Sequence, residues 1–290
     1  MSLSKLLKNN SLLSTSMFSK SHIIEFFNLC DKFNQNKKIY KKKTVSLLFY
    51  SPSTRTFSSF MLAAQQLNCN IIPIHTSNSS VQKGETFQDT VSTLAAISDL
   101  LIIRHPQKDI MSNIKCGIPI INAGDGTGEH PTQALLDIYT IFNKKNKIDG
   151  LNITFMGDIK HSRTIHSLIN LLNLFNVNIN IVCPNDLKDD TYKFNYYNEL
   201  NECIDSTDVL YVTRPQIEFH ENTKSSYVIN RNSLINAKQD LIVMHPLPKT
   251  TEIAYDIEDD LRLIFYDQVK NGVIVRNVLL QLILDIKGTL

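Results

Sequence analysis

Apolar residues along this chain fall into two alternating rhythms. Short β-branched runs recur at Thr44–Tyr50, Leu100–Ile103 and Ile118–Asn122, then at Leu151–Met156, Val177–Val182, Val209–Val212 and Leu241–Met244. Runs of that length rich in Val, Ile and Leu predict strands. Between them, stretches such as Thr54–Leu67, Thr132–Phe142 and Arg163–Phe175 repeat their apolar positions at helical spacing. Strands separated by helices imply βαβ units, and such units build parallel sheets. The polar segment 143–150 follows a long helical pattern and closes on Gly150, which predicts a seam between two halves. The last periodic stretch, Val273–Ile286, is apolar enough to pack as a helix. No internal repeat or low-complexity tract interrupts the pattern.

A chain of 290 residues, 42% hydrophobic and 20% charged, has a globular composition and room for two ordinary domains. Its net charge of +2 is small, and its lysines are scattered apart from Lys41-Lys42-Lys43 and short pairs. That distribution is not the basic face of a nucleic-acid binder. The five cysteines (Cys30, Cys69, Cys116, Cys183, Cys203) are far apart and form no C-x-x-C pair, which predicts reduced thiols rather than a zinc knuckle or a disulfide scaffold. No apolar run reaches the roughly 20 residues of a membrane span. The first 20 residues hold Ser and Lys without acids but lack a sustained apolar stretch. They leave a targeting segment open, and cytoplasm is the expected compartment.

In parallel sheets, functional side chains gather beyond the carboxyl ends of strands. The first such loop reads Ser51-Pro-Ser53-Thr54-Arg55-Thr56 and runs into a helix. Free N–H groups at a helix start favour an anion, and Arg55 has the geometry to grip phosphate oxygens; a plain Ser/Thr cap beside an exposed Arg is the structural alternative. Strand 100–103 is followed by Arg104-His105-Pro106-Gln107. The stretch Asn122-Ala-Gly-Asp-Gly-Thr-Gly-Glu-His130-Pro131-Thr132-Gln133 contains glycines, yet a dinucleotide fingerprint would need Gly where Glu129 stands. His130 and Gln133 sit one helical turn apart and could polarise a carbonyl, although an isolated His is more often a structural one. In the second half, Gly157-Asp158-Ile-Lys160-His161-Ser162-Arg163 and Thr213-Arg214-Pro-Gln216-Ile-Glu218 follow strands and bring two further guanidiniums, suited to a dicarboxylate. The turn His245-Pro246-Leu247-Pro248-Lys249 leaves carbonyls free to accept from an amide NH2. From the residues alone, one half suits phosphate and the other carboxylates, with a cleft between them, as in a two-substrate transferase. A nonenzymatic anion-binding module and a dinucleotide-dependent dehydrogenase are the rival readings.

The motifs Ser53-Thr54-Arg55-Thr56, Arg104-His105-Pro106, His130-Pro131-Thr132-Gln133, Gly157-Asp158-Ile-Lys160-His-Ser-Arg163-Thr-Ile-His166-Ser, Thr213-Arg214-x-Gln216 and His245-Pro246-Leu247-Pro248 stand in the order found in aspartate carbamoyltransferase catalytic chains. The chain resembles that family from about Leu12 to about Leu284. The resemblance implies an α/β fold of two doubly wound parallel-sheet domains with the active site in the cleft between them. It places a carbamoyl-phosphate-binding domain at 1–136, with a helix at about 273–290 packing back on it, and an aspartate-binding domain at 137–272.

The resemblance further implies that Ser53, Thr54, Arg55, Thr56, Arg104, His130 and Gln133 bind carbamoyl phosphate. Pro246 and Leu247 would lend backbone carbonyls to its NH2. Thr54, Arg55, Arg104 and His130 would polarise the carbonyl, with Gln133 on the carbamoyl nitrogen. Arg163, Arg214 and Gln216 would bind aspartate, with Glu218 aligning Arg214. Ser79 and Lys83 would reach a neighbouring subunit's site in a homotrimer, Lys83 touching both substrates. Catalysis would rest on Arg55, Thr56, Lys83, Arg104 and His130, with no metal, cofactor, nucleic acid or membrane involved. Separate regulatory chains are left open. Two departures stand out: Phe57 replaces a second Arg common in relatives, and Lys249 follows the His-Pro-Leu-Pro run where Arg is common. Ornithine carbamoyltransferases resemble the chain too, but typically carry Cys where Thr132 and Pro246 stand here, so aspartate is the expected acceptor.

Overall fold

The computed structural model describes residues 1–33, 42–75, 84–214 and 227–286. Within them the chain divides into two units, Met1–Tyr139 with Val269–Leu290, and Thr140–Gln268.

The first unit is built on strands β1 (Thr44–Phe49), β2 (Asn70–His75), β3 (Leu100–His105) and β4 (Ile120–Asp125), in the spatial order β2-β1-β3-β4 and all parallel. The chain first moves outward from β1 to β2, then returns past β1 to β3. The strand order therefore reverses between β1 and β3, which makes that gap the switch point of a doubly wound sheet. Helices α1 (Leu3–Leu7), α2 (Lys20–Asp31), α3 (Thr54–Gln66), α4 (Phe87–Ala95) and the start of α5 (Pro131–Lys145) complete it. Leu48, Val91, Leu94, Leu101, Ile103, Met111 and Ile120 pack into one buried cluster.

Four features differ from the reading of the pattern, the first being that β4 runs Ile120–Asp125 and not Ile118–Asn122. The run expected to end at Ile103 continues as strand through Arg104 and His105. Phe49 pairs with Arg104, and the Tyr50 N–H donates to the Arg104 carbonyl at 2.8 Å. Arg104 is thus a strand residue, not a loop residue. Strand β2 was hidden by Pro73 and polar ends; it lies at the sheet edge, where a missing N–H is tolerated. The closing helix α7 (Phe265–Ile283) begins eight residues before the expected Val273. It buries Val275, Val278, Leu279, Leu280 and Ile283, and Asn277 Nδ2 donates to the Ala63 carbonyl (3.3 Å) and Gln66 Oε1 (3.2 Å) of α3.

The second unit repeats the logic. Strands β5 (Asn152–Met156), β6 (Asn178–Val182), β7 (Asn195–Tyr197), β8 (Val209–Val212) and β9 (Ile242–Met244) lie in the order β7-β6-β5-β8-β9, again all parallel. The order reverses between β5 and β8. Helix α6 (Arg163–Leu172) buries Ile165, Leu168, Ile169, Leu171 and Leu172. Met156, Val182, Leu210, Val212, Val243 and Phe265 belong to one buried cluster. The polar edge strand β7 carried no apolar signature and was not anticipated. The chain passes between the units within α5 and again within α7, ahead of the polar stretch 143–150 in the first case. No helix among the described residues is long and apolar enough to cross a membrane.

Leu47 is fully buried in β1, flanked on both sides by paired strands. Leu47→Ala is expected to cost about 2–5 kcal/mol, the range for a cavity in a well-packed core. Urea unfolding checks this; an unchanged midpoint would contradict the placement of β1 at the heart of its sheet.

Candidate active site

The strands flanking each switch point deliver an arginine apiece. Arg55 follows β1, Arg104 ends β3, Arg163 follows β5 and Arg214 follows β8. Regular βα geometry therefore places a guanidinium pair at the switch point of each unit.

In the first unit, α3 starts directly after the β1 exit loop. Ser53 occupies the cap position in extended conformation, yet its hydroxyl makes no capping hydrogen bond. The contrast with α2 and α4 is plain, since Ser19 and Thr86 there accept from first-turn N–H groups. The first-turn donors of α3 are thus not taken up by the residue best placed to do so. Arg55 is half-buried, burial lowers its pKa, and it has no acidic partner among the described residues. A guanidinium partly stripped of water beside open N–H donors attracts an anion strongly. Arg104 is held alongside: its Nε donates to Ser51 Oγ at 3.1 Å and its Nη1 to the Ala123 carbonyl at 3.4 Å. One strand tip is thereby tied to the tips on either side of it.

His130 immediately precedes α5 and is 4% exposed; Thr56 Oγ1 lies 3.5 Å from its Nε2. The loop before it is pinned by two acids, Asp125 buried and Glu129 half-buried. Asp125 Oδ1 accepts from the Glu129 N–H at 2.6 Å, and the Glu129 carboxylate accepts from the Thr15 N–H and hydroxyl, both at 2.9 Å, and from Ser14 Oγ. Gly126 lies in the left-handed region at φ +45°, where a side chain would strike the Pro106 carbonyl. Gly126 therefore serves close packing against the β3 exit. Pro131 opens α5 at the position where its missing N–H costs nothing, and Gln133 Nε2 donates to Asp137 Oδ1 at 3.0 Å.

In the second unit, α6 also starts with an open cap: Ser162 makes no capping hydrogen bond, and Arg163 is the first helical residue. The loop ahead of it is rigid. The Asp158 carboxylate is fully buried and accepts from the His161 N–H (3.1 Å) and from His161 Nδ1 (3.0 Å), while His166 Nε2 donates to the Ile159 carbonyl at 2.8 Å. Gly157 has φ +120°, and any side chain there would collide with the Thr213 carbonyl. The β5 and β8 exits are therefore packed directly against each other. Arg214 closes the described part of the β8 loop.

The β9 exit turns on a buried pair, His245 and Glu252, that no motif announces. The Leu247 N–H donates to His245 Nδ1 at 2.7 Å, which leaves the ring proton on Nε2; that nitrogen donates to Glu252 Oε1 at 2.8 Å. Glu252 also accepts from the Thr250 N–H (2.9 Å) and hydroxyl (2.7 Å). Burial alone would raise the Glu252 carboxyl, but the hydrogen bonds from His245 and Thr250 outweigh it and bring its pKa down to about 2. Seven residues separate the partners, a spacing with no motif attached. The ring they close fixes Pro246 and Leu247, whose backbone stands at φ +57°. Lys249 faces Glu258 and lies 5.8 Å from the Tyr255 ring.

In the first unit the structure thus brings Arg55, Thr56, Arg104, His130 and Gln133 to the carboxyl edge of one sheet, with Ser53 and Thr54 at the start of α3. In the second, Arg163, Arg214, Pro246 and Leu247 lie at the carboxyl edge of the other. Ser79, Lys83, Gln216 and Glu218 lie outside the described residues.

Comparison with known proteins agrees with this layout. The carbamoyl-P binding domain of aspartate/ornithine carbamoyltransferases matches residues 10–143, and their Asp/Orn binding domain matches residues 149–283. The chain belongs to the aspartate/ornithine carbamoyltransferase family. Among carbamoyltransferases, the aspartate carbamoyltransferase catalytic subunit of Leptospira biflexa is 39% identical, over 96% of this chain and 97% of its own. The multifunctional protein pyr1-3 of Dictyostelium discoideum is 41% identical over 84% of this chain, which spans only 12% of that much longer polypeptide. The aspartate transcarbamoylase of Trypanosoma cruzi, solved with aspartate and phosphate, superimposes with a TM-score of 0.89 at 33% identity, covering 96% of this chain and 97% of that one.

For this carbamoyltransferase chain the Glu252 ring sets an acid limit. A carboxyl held at about 2, against an ordinary 4.5, adds stability that is complete above pH 4.5 and lost as pH falls towards 2. Glu252→Gln should flatten the fall in unfolding free energy across that window. Parallel stability–pH curves for the two proteins would contradict the pairing.

Proposed function

We propose that the chain transfers the carbamoyl group of carbamoyl phosphate to the amine of L-aspartate, giving N-carbamoyl-L-aspartate and phosphate, an early step of pyrimidine synthesis. The observation that carries this reading is the open N-terminus of α3, with half-buried Arg55 and the tethered Arg104 beside it. Ser53, Thr54, Arg55 and Thr56 receive the phosphate group. Thr54, Arg55, Arg104 and His130 polarise the carbamoyl carbonyl. Gln133 and the carbonyls of Pro246 and Leu247 hold its NH2, while Arg163 and Arg214, with Gln216, take the two carboxylates of aspartate. Thr132 and Pro246, in place of the cysteines typical of ornithine enzymes, favour aspartate as acceptor.

The chemistry follows from positioning and charge. The aspartate amine attacks the carbamoyl carbon, a C–N bond forms, and the carbonyl oxygen gathers negative charge opposite Arg55, Arg104 and His130. Collapse breaks the C–O bond to phosphate, and the departing phosphate takes the amine proton. Donors already fixed in place need no reorganisation as the oxyanion develops. The tethers on Arg104 and on the loop before His130 serve that fixity.

The active assembly is proposed as a homotrimer in which Ser79 and Lys83 complete a neighbour's site, and the cytoplasm as its compartment, in keeping with five free cysteines. Arg55→Ala and His130→Ala should fold normally and each lose about 10²–10³ in turnover, the typical cost of one oxyanion donor. A colorimetric assay for carbamoyl aspartate reads this. Near-normal turnover in either variant, or equal turnover with ornithine, would refute the assignment. Mixing inactive Lys83→Ala and Arg55→Ala chains should restore part of the activity through hybrid sites, and no recovery after verified exchange would count against sharing.

A further inference from the structure

Gln133 carries an amide whose two ends have opposite hydrogen-bonding character. If it holds a carbamoyl NH2, only its oxygen can serve, because an NH2 end would meet another donor. Something must therefore fix which end faces the reactants. The Gln133 Nε2 donates to Asp137 Oδ1 at 3.0 Å, one helical turn further along α5. Asp137 is fully buried, and its charge acts on the buried Arg276 guanidinium of α7. Burial pushes the Arg276 guanidinium down to about 10, and the Asp137 charge works in the opposite direction. Arg276 is held in turn by the Gly272 carbonyl (3.3 Å) and by the face of Phe60 on α3, 5.1 Å from its ring centroid. An ionised carboxylate accepts only, so a flipped Gln133 amide would set oxygen against oxygen.

We propose that Asp137 is a positioning residue that takes up the NH2 end of Gln133 and leaves its oxygen as an acceptor for the substrate NH2. The inference rests on the reading of Gln133 as a carbamoyl ligand. It makes Asp137 a determinant of specificity: the site then favours an acyl phosphate bearing NH2 over one bearing CH3 at the same position. Arg276 links the helices that carry Arg55 and Gln133 through a single buried cation.

The test is a double-mutant cycle on the full chain, with the KM for carbamoyl phosphate and the inhibition constant of acetyl phosphate as readouts. Gln133→Ala should raise that KM about tenfold, the worth of one well-placed hydrogen bond. Asp137→Asn, whose amide accepts either end of Gln133, should raise it several-fold towards that limit, while acetyl phosphate binding stays within about twofold. In the Gln133→Ala background, Asp137→Asn should change neither constant, although its effect on thermal stability persists. Should Asp137→Asn fail to fold beside the unneutralised Arg276, Asp137→Asn with Arg276→Met takes its place in the same cycle. Equal losses for both ligands, no loss at all, or a full loss persisting without Gln133 would overturn the positioning role. An unchanged KM in Gln133→Ala alone would instead remove the carbamoyl contact on which the proposal stands.

Discussion

Strands that all run in one direction deliver every following residue to the same edge of their sheet. Both units of this carbamoyltransferase chain obey that constraint, and both reverse strand order once, at β1/β3 and at β5/β8. The reversal sends the connecting helices to opposite sides and leaves the loops between them apart. Arg55, Arg104, Arg163 and Arg214 occupy those four strand exits. Had either sheet contained antiparallel neighbours, the paired guanidiniums would have been carried to opposite edges.

A second constraint acts on the helix starts. Helices α2 and α4 close their N-termini with Ser19 and Thr86, whereas α3 and α6 leave the serine at the cap unused and put an arginine in the first turn. Leaving a cap unmade costs about 1 kcal/mol, which is tolerable where an anion supplies the missing acceptors. Buried carboxylates hold the loops around these ends: Asp125 before His130, Asp158 before Arg163, Glu252 behind Leu247.

Much of the fold was legible because its central strands are short, apolar and bounded by polar turns. Central strands β1, β5 and β8 fall where the pattern places them, and β3 starts there but runs on through His105. The edge strands β2 and β7 did not show, since an edge needs neither continuous apolar residues nor every N–H, and Pro73 and Asn195 disguise them. The arginines and His130 are visible because each lies at a strand end or in the loop and helix start that follow one. Their supports were not: Asp137, Glu252 and Arg276 are charged residues in interior positions, and nothing in their neighbours' identity distinguishes a buried carboxylate from a surface one. Arg104 reads as a loop residue because a charged residue usually ends a strand, yet its backbone stays in register with Phe49.

The account depends on division of labour, with phosphate recognised by the first unit's residues and dicarboxylate by the second's. Calorimetric titration of wild type, Arg55→Ala and Arg163→Ala separates the two. Carbamoyl phosphate is added to each alone, and aspartate is added with saturating phosphate present. The account predicts that Arg55→Ala loses carbamoyl phosphate binding, whereas Arg163→Ala keeps it and loses aspartate binding. Loss of carbamoyl phosphate binding in Arg163→Ala, or undiminished binding in Arg55→Ala, would contradict it.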